Sequence, residues 1–119
     1  MNWRTTLMYV LLLATMFASG IAVSAQNLCG SDICVVQFNA SWNQSNSIDY
    51  LGDLTDCEVM NVSIDEGAYQ SDYGIVVVPT IIVFNGKEVE RFQANIMMQL
   101  EATREEVQSV VDEIIYSDF

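Results

Sequence analysis

With 119 residues, of which 51% are hydrophobic, the chain is long enough for one small packed domain and too apolar to be intrinsically disordered. Sixteen acidic residues against four basic ones give a formal net charge of −12, which disfavours nucleic-acid binding because phosphate groups would be repelled. The absence of histidine excludes histidine-based acid–base catalysis and the commonest transition-metal ligand. We expect neither a metal ion nor another cofactor.

The N-terminal residues 1–25 have the features of a targeting segment. Arg4 precedes an uncharged apolar run, Leu7–Val23, and small residues then mark a signal-peptidase site before Gln26. The alternative is an uncleaved anchor that holds the protein at a membrane, since the uncharged stretch is long enough to span a bilayer. In both cases the charge pattern predicts an extracytoplasmic domain, periplasmic or secreted, formed by residues 26–119.

The first half of this domain predicts a strand, a helix and a second strand. Ile33–Asn39 is a nearly continuous apolar run, typical of a strand buried on both faces. Ile48, Leu51 and Leu54 then recur every third residue, which suits one face of a helix. The next β-prone segment, Glu58–Ile64, predicts the second strand.

The second half predicts a short helix, a hairpin and a terminal helix. Tyr69 and Tyr73 mark one side of the short helix, and the most β-prone run in the chain, Val76–Phe84, follows. The Asn85–Gly86 pair is a strong hairpin signal, and KEVERF then returns as an antiparallel strand.

The last predicted helix has a clear start and a clear apolar face. Thr103 and Glu106 form the ends of a capping box, T-R-E-E. The apolar positions that follow have helical spacing: Val107, Val110, Val111, Ile114 and Ile115. The complete order predicts an α/β domain with a four-stranded mixed sheet (βαβαββα) flanked by three helices.

Three ordered motifs, VVQFNASW, YGIVVVPT and IIVFNGKEVERF, together with the capped terminal helix, resemble the thioredoxin family. The resemblance implies the minimal thioredoxin fold and a cis peptide bond before Pro79, the only proline. However, Asn43-Gln44-Ser45-Asn46 stands where the family carries its C-x-x-C, and Gln37 aligns with the family's buried acid. Amide side chains have no sulfur to exchange electrons, so we expect a divergent, redox-inactive member rather than an enzyme.

The resemblance also implies a groove in which an extended protein or peptide segment binds next to the proline. The corresponding positions in this chain are Trp42, Asn43, Asn46, Val78, Pro79, Ala94 and Asn95. Asn43 and Asn46 are expected to offer hydrogen bonds where cysteines would have reacted. Alternatively, Trp42 and Pro79 are retained only because the fold requires them. The neighbouring Met97 and Met98 suit either core filling or an adaptable binding surface.

Three cysteines, Cys29, Cys34 and Cys57, predict one structural disulfide and one free thiol in an oxidising compartment. We favour Cys29–Cys57, because both residues precede neighbouring parallel strands. Cys34–Cys57 and a local Cys29–Cys34 loop remain open.

The main functional hypothesis is an exported, redox-inactive thioredoxin-like module that binds proteins or peptides without covalent chemistry. One alternative is a thiol oxidoreductase that uses these non-family cysteines. Another alternative is a structural subunit anchored in a membrane by residues 7–23.

Overall fold

Four strands form the central sheet of the computed structural model, which describes residues 28–30 and 32–117. In chain order they are β1 (Ile33–Asn39), β2 (Glu58–Ser63), β3 (Thr80–Asn85) and β4 (Glu88–Gln93). The spatial order is β2-β1-β3-β4, with β1 and β2 parallel and the other neighbours antiparallel. The predicted targeting segment, residues 1–25, lies outside the described residues.

Helical segments connect and cover these strands. They are two 3-10 helices, Ser41–Asn46 and Leu51–Asp53, a short α-helix, Tyr69–Asp72, and a C-terminal α-helix, Arg104–Ser117. The α/β class and the four-stranded mixed sheet with its βαβαββα order are therefore confirmed. In the described part of the chain, no helix is both long and apolar enough to cross a membrane.

The predicted first helix differs from the observed one. Ile48 lies between helices, and only Leu51–Asp53 is helical, as one turn of 3-10 helix. A spacing of three residues equals the 3-10 repeat, so Leu51 and Leu54 both reach the core without an α-helix. The preceding run of Asn, Gln and Ser favours local side-chain hydrogen bonds over a regular helix.

β1 lies at the centre of the domain and contributes to two separate cores. Cys34, Val36 and Phe38 pack on one face of the sheet, with Tyr73 and Val78, and we call this the first core. The second core lies on the other face, where Val35 meets the C-terminal helix. Alternating side chains of one strand point to opposite faces, which explains why its sequence is apolar throughout.

The C-terminal helix begins as its sequence predicts. The backbone N–H of Glu106 donates to Thr103 Oγ1 at 3.2 Å. Three of the predicted apolar positions, Val107, Val111 and Ile114, are buried in the second core. This helix therefore covers the face of the sheet opposite the first core.

The preferred disulfide prediction, Cys29–Cys57, is wrong. Cys29 is bonded to Cys34, with a Cα–Cα distance of 5.9 Å, and Cys57 is a free cysteine. The two faces of the sheet explain the difference. Cys29 packs against the first core and Cys57 against the second, so the sheet separates them.

Cys29→Ser is expected to lower the free energy of unfolding by about 2 kcal/mol, because it opens a short covalent loop in the unfolded chain. Denaturant unfolding of the oxidised full chain measures the loss. Cys57→Ser is the matched control, since it should keep the disulfide and remove the single free thiol detected by thiol titration. A thiol count unchanged by Cys57→Ser would contradict this pairing.

Candidate functional site

A network of side-chain amides holds the chain where it leaves β1. Asn39 Nδ2 donates to the carbonyl of Asn43 at 3.1 Å and to Ser47 Oγ at 2.8 Å. Its Oδ1 accepts the backbone N–H of Ala40 at 2.9 Å. These bonds define the path of the Ser41–Asn46 helix, whose own 3-10 pattern satisfies only some of its backbone groups.

Asn43 joins three separate parts of the chain. Its amide nitrogen lies 3.1 Å from Asn39 Oδ1, 3.3 Å from the carbonyl oxygen of Val78 and 3.5 Å from that of Met98. Its Oδ1 accepts from Asn46 Nδ2 at 2.9 Å. The side chain therefore connects the end of β1 to the segment before Pro79 and to the loop that follows β4.

The position of Asn43 corrects one expectation. Asn43 is only 4% exposed and its amide already serves protein partners, so it is not positioned to offer hydrogen bonds to a ligand. Asn46 is half-buried, and its amide nitrogen donates to Asn43. Both residues thus shape the site from within, which sequence spacing could not reveal because the partners are 35 and 55 residues away.

Gln37 occupies a buried position on β1 and is only 2% exposed. Its Oε1 accepts the backbone N–H of Ile48 at 2.7 Å, and its Nε2 lies 3.2 Å from the carbonyl of the same residue. The Nε2 also donates to Asn61 Oδ1 at 2.8 Å. An amide can donate and accept at once, so it ties the non-helical segment near Ile48 to the sheet without carrying a charge.

Beside this network lies an apolar groove of about 300 Å³. Its lining comes from the Ser41–Asn46 helix, the residue after β2, the short helix Tyr69–Asp72, the segment before Pro79 and the loop after β4. The lining residues are Trp42, Ile64, Gln70, Ile75, Val76, Val77, Val78, Asn95, Ile96 and Met98. Trp42, Val78 and Asn95 were predicted members of a site and do meet here. Pro79 and Ala94 were also predicted but do not line the groove. Pro79 is buried, and its carbonyl accepts the backbone N–H of Ala94 at 3.1 Å, which joins two of the segments that carry lining residues. The Val78–Pro79 peptide bond is cis.

Large apolar side chains of the groove are open to solvent. Trp42 is 64% exposed, Val76 80%, Ile96 99% and Met98 41%. Val76 and Ile96 were missed as site residues. Val76 belongs to the β-prone run Val76–Phe84, but it precedes Pro79 and β3 begins only at Thr80. The sequence could have indicated Ile96. It is an apolar residue in a segment without strand or helix periodicity, so no predicted core position accounts for it.

The loop after β4 has a defined shape. Asn95 Oδ1 accepts the backbone N–H groups of Met97 at 2.9 Å and Gln99 at 3.2 Å. The backbone of Asn95 also pairs with that of Gln99 and receives the N–H of Met98. These hydrogen bonds fix the backbone on both sides of Ile96, whose side chain is exposed to solvent. The Asn95 side chain is used in these bonds within the loop.

One carboxylate lies at the Trp42 end of the groove. Asp65 Oδ2 accepts the backbone N–H of Ser41 at 2.8 Å. Asp65 directly follows the lining residue Ile64, and its hydrogen-bond partner Ser41 directly precedes the lining residue Trp42. Hydrogen bonds from the side chain and backbone of Ser41 lower the pKa of Asp65. Asp65 is therefore ionised at neutral pH.

The cysteines lie away from this groove. Cys34 is near the start of β1 and Asn39 ends it, a separation of about 17 Å along an extended strand. Burial, followed by the charge of Asp56, raises the pKa of the Cys57 thiol, which disfavours a reactive thiolate. Within residues 28–30 and 32–117, no group of three or more Cys, Asp and Glu side chains is arranged to hold a metal ion.

Comparisons with known proteins place the fold. No family model and no curated protein matches the chain. A mutant thioredoxin from Halobacterium salinarum NRC-1 matches with a TM-score of 0.54 and 26% identity, over 70% of this chain and 74% of that one. Thioredoxin-2 of the malaria parasite, a component of that parasite's protein secretion machinery, matches with a TM-score of 0.52 and 17% identity, over 71% of this chain and 84% of that one. A designed protein matches with a TM-score of 0.55 and 15% identity, over 76% of this chain and 83% of that one. These likenesses establish a thioredoxin-like fold.

Proposed function

From this thioredoxin-like fold we propose that the protein binds extended peptide segments noncovalently in the apolar groove, without dithiol exchange at that site. The observation that carries the proposal is the buried Asn43 amide. It stands where the resemblance would place a reactive cysteine, and it connects the end of β1 to two segments that line the groove, the one before Pro79 and the loop after β4. At this position the chain has an internal hydrogen-bonded cross-link rather than a reactive group.

A groove with fixed walls suits noncovalent binding. Asn43 holds one wall and Asn95 the other, so little conformational entropy is lost when a ligand enters. Val76 is 80% exposed, and no hydrogen bond within the described residues engages its backbone. An extended peptide pairs naturally with a free backbone segment and places alternate side chains against apolar neighbours such as Trp42 and Ile96.

The Cys29–Cys34 disulfide supports a second candidate, a thiol oxidoreductase that acts at the other end of β1. Thiol–disulfide exchange requires access to a sulfur atom. Cys34 is fully buried, so an attacking thiolate has access only through Cys29. This accessibility favours a structural role for the disulfide and ranks the oxidoreductase below the peptide-binding module.

Selection from a displayed library of random peptides against the full chain tests the main proposal. Val76→Ser combined with Ile96→Ser should weaken the selected peptides about tenfold or more, because two aliphatic contacts are lost. Both side chains are largely exposed, so the fold should be unaffected. Tyr116→Ser is the matched control, since Tyr116 is 77% exposed on the C-terminal helix, which covers the opposite face of the sheet.

Peptides that bind the groove variant as tightly as the unchanged chain would contradict the proposal. An insulin-reduction assay with dithiothreitol separates the second candidate. We expect no rate above the uncatalysed one. A catalysed rate that Cys29→Ser abolishes and Val76→Ser leaves unchanged would favour the oxidoreductase instead.

A further inference from the structure

We propose that the groove selects apolar segments flanked by a basic residue, with the lysine or arginine side chain placed over Trp42 beside Asp65. This inference rests on the proposed function and adds the chemical class of the peptide. Its basis is the combination, at one end of an apolar groove, of an exposed aromatic side chain and a fixed carboxylate.

The carboxylate is held in place rather than free to move. Asp65 accepts the Ser41 N–H at 2.8 Å, and Ser41 directly precedes Trp42. A cation that contacts the face of an aromatic ring gains electrostatic attraction from the ring, and a neighbouring carboxylate adds to it. One lysine or arginine can use both, since its long apolar stem also suits the indole surface.

No basic side chain of the protein competes for this place among the described residues. Lys87 lies in the β3–β4 turn, at the end of β3 remote from Pro79. Arg91 is paired with Glu88 at 2.8 Å, and its guanidinium donates to the carbonyls of Tyr73 and Gly74. Arg104 is paired with Glu105 at 3.0 Å. The groove thus has an anionic end and no cationic lining.

Charge complementarity extends beyond the contact itself. The chain carries a formal net charge of −12, so a basic ligand is attracted and an acidic one repelled over the whole approach. The apolar part of the groove restricts this attraction to ligands that also bury aliphatic side chains. A purely basic peptide or a purely apolar one satisfies only half of the site.

Synthetic peptides with a shared Val/Thr/Leu core and a terminal pair of Lys, Gln or Glu test the inference against the full chain. One series carries this pair at the N-terminus of the peptide and a second series carries it at the C-terminus. Both are needed because the direction in which the peptide binds decides which of its ends lies at Trp42. In at least one series we expect the lysine peptide to bind about fivefold to tenfold more tightly than the glutamine peptide. This preference should shrink as NaCl rises from about 50 to about 500 mM.

Asp65→Asn isolates the charge, since an asparagine oxygen can still accept the Ser41 N–H. It should reduce the preference for lysine about threefold or more and leave the glutamine peptide unchanged. Glu113→Gln is the control, because it changes net charge equally but lies on the C-terminal helix, away from the groove. Equal binding of all three peptides would overturn the inference and leave the proposed function intact. Failure of every peptide to bind would overturn both.

Discussion

Asn43→Ala is expected to lower the free energy of unfolding by about 2–3 kcal/mol. The substitution removes the donor to the Val78 carbonyl, and Val78 is buried. It also removes the acceptor of Asn46 and leaves a small cavity between three chain segments. Denaturant unfolding of the full chain measures the loss.

Asn46→Ala is the matched control for this prediction. Asn46 is half-buried and its amide can turn to water, so we expect a loss of about 1 kcal/mol or less. Asn43→Cys should behave like Asn43→Ala, because a thiol cannot replace the amide donor. Equal losses for Asn43→Ala and Asn46→Ala would mean that Asn43 does not cross-link the groove.

Gln37→Glu is expected to have the largest effect, and the effect should depend on pH. The change replaces the Nε2 donor by an oxygen that faces the acceptor oxygens of Ile48 and Asn61. Burial at 2% exposure further disfavours a charge. The pKa of the new carboxyl group in the folded state should therefore rise by about 3 units above its unfolded value near 4.3.

The direction of the pH dependence follows from this raised pKa. Below about pH 3 the carboxyl group is protonated in both states, so its ionisation does not destabilise the folded protein. As pH rises from about 4 to about 7, the unfolded state ionises freely and the folded state does not. Stability at pH 7 should then be about 3 kcal/mol lower than its value at low pH.

Urea unfolding of the full chain across this pH range, compared with the unchanged protein, measures the effect. Gln93→Glu is the matched control, since Gln93 is exposed on β4 and should show little added pH dependence. If both variants respond to pH alike, Gln37 is hydrated rather than buried in a closed network.

The elements that the sequence predicts well are those specified by neighbouring residues. β1 appears as an apolar run because a central strand is buried on both faces. The Asn85–Gly86 turn and the Thr103 cap act over two to four residues, so their patterns survive in any context. Together with the other predicted strands and helices they indicate the α/β class, whereas the thioredoxin-like fold was implied by the resemblance of the three motifs to that family.

What only the tertiary structure decided involves residues that are distant in the chain. The sequence shows that Asn43 is an amide, but only the folded chain brings it to Val78 and Met98. The cysteine pairing was decided by which face of the sheet each residue meets, and the exposure of Ile96 by a loop folded around Asn95. Local patterns report local backbone preferences, whereas a site depends on contacts whose energy appears only after the segments have come together.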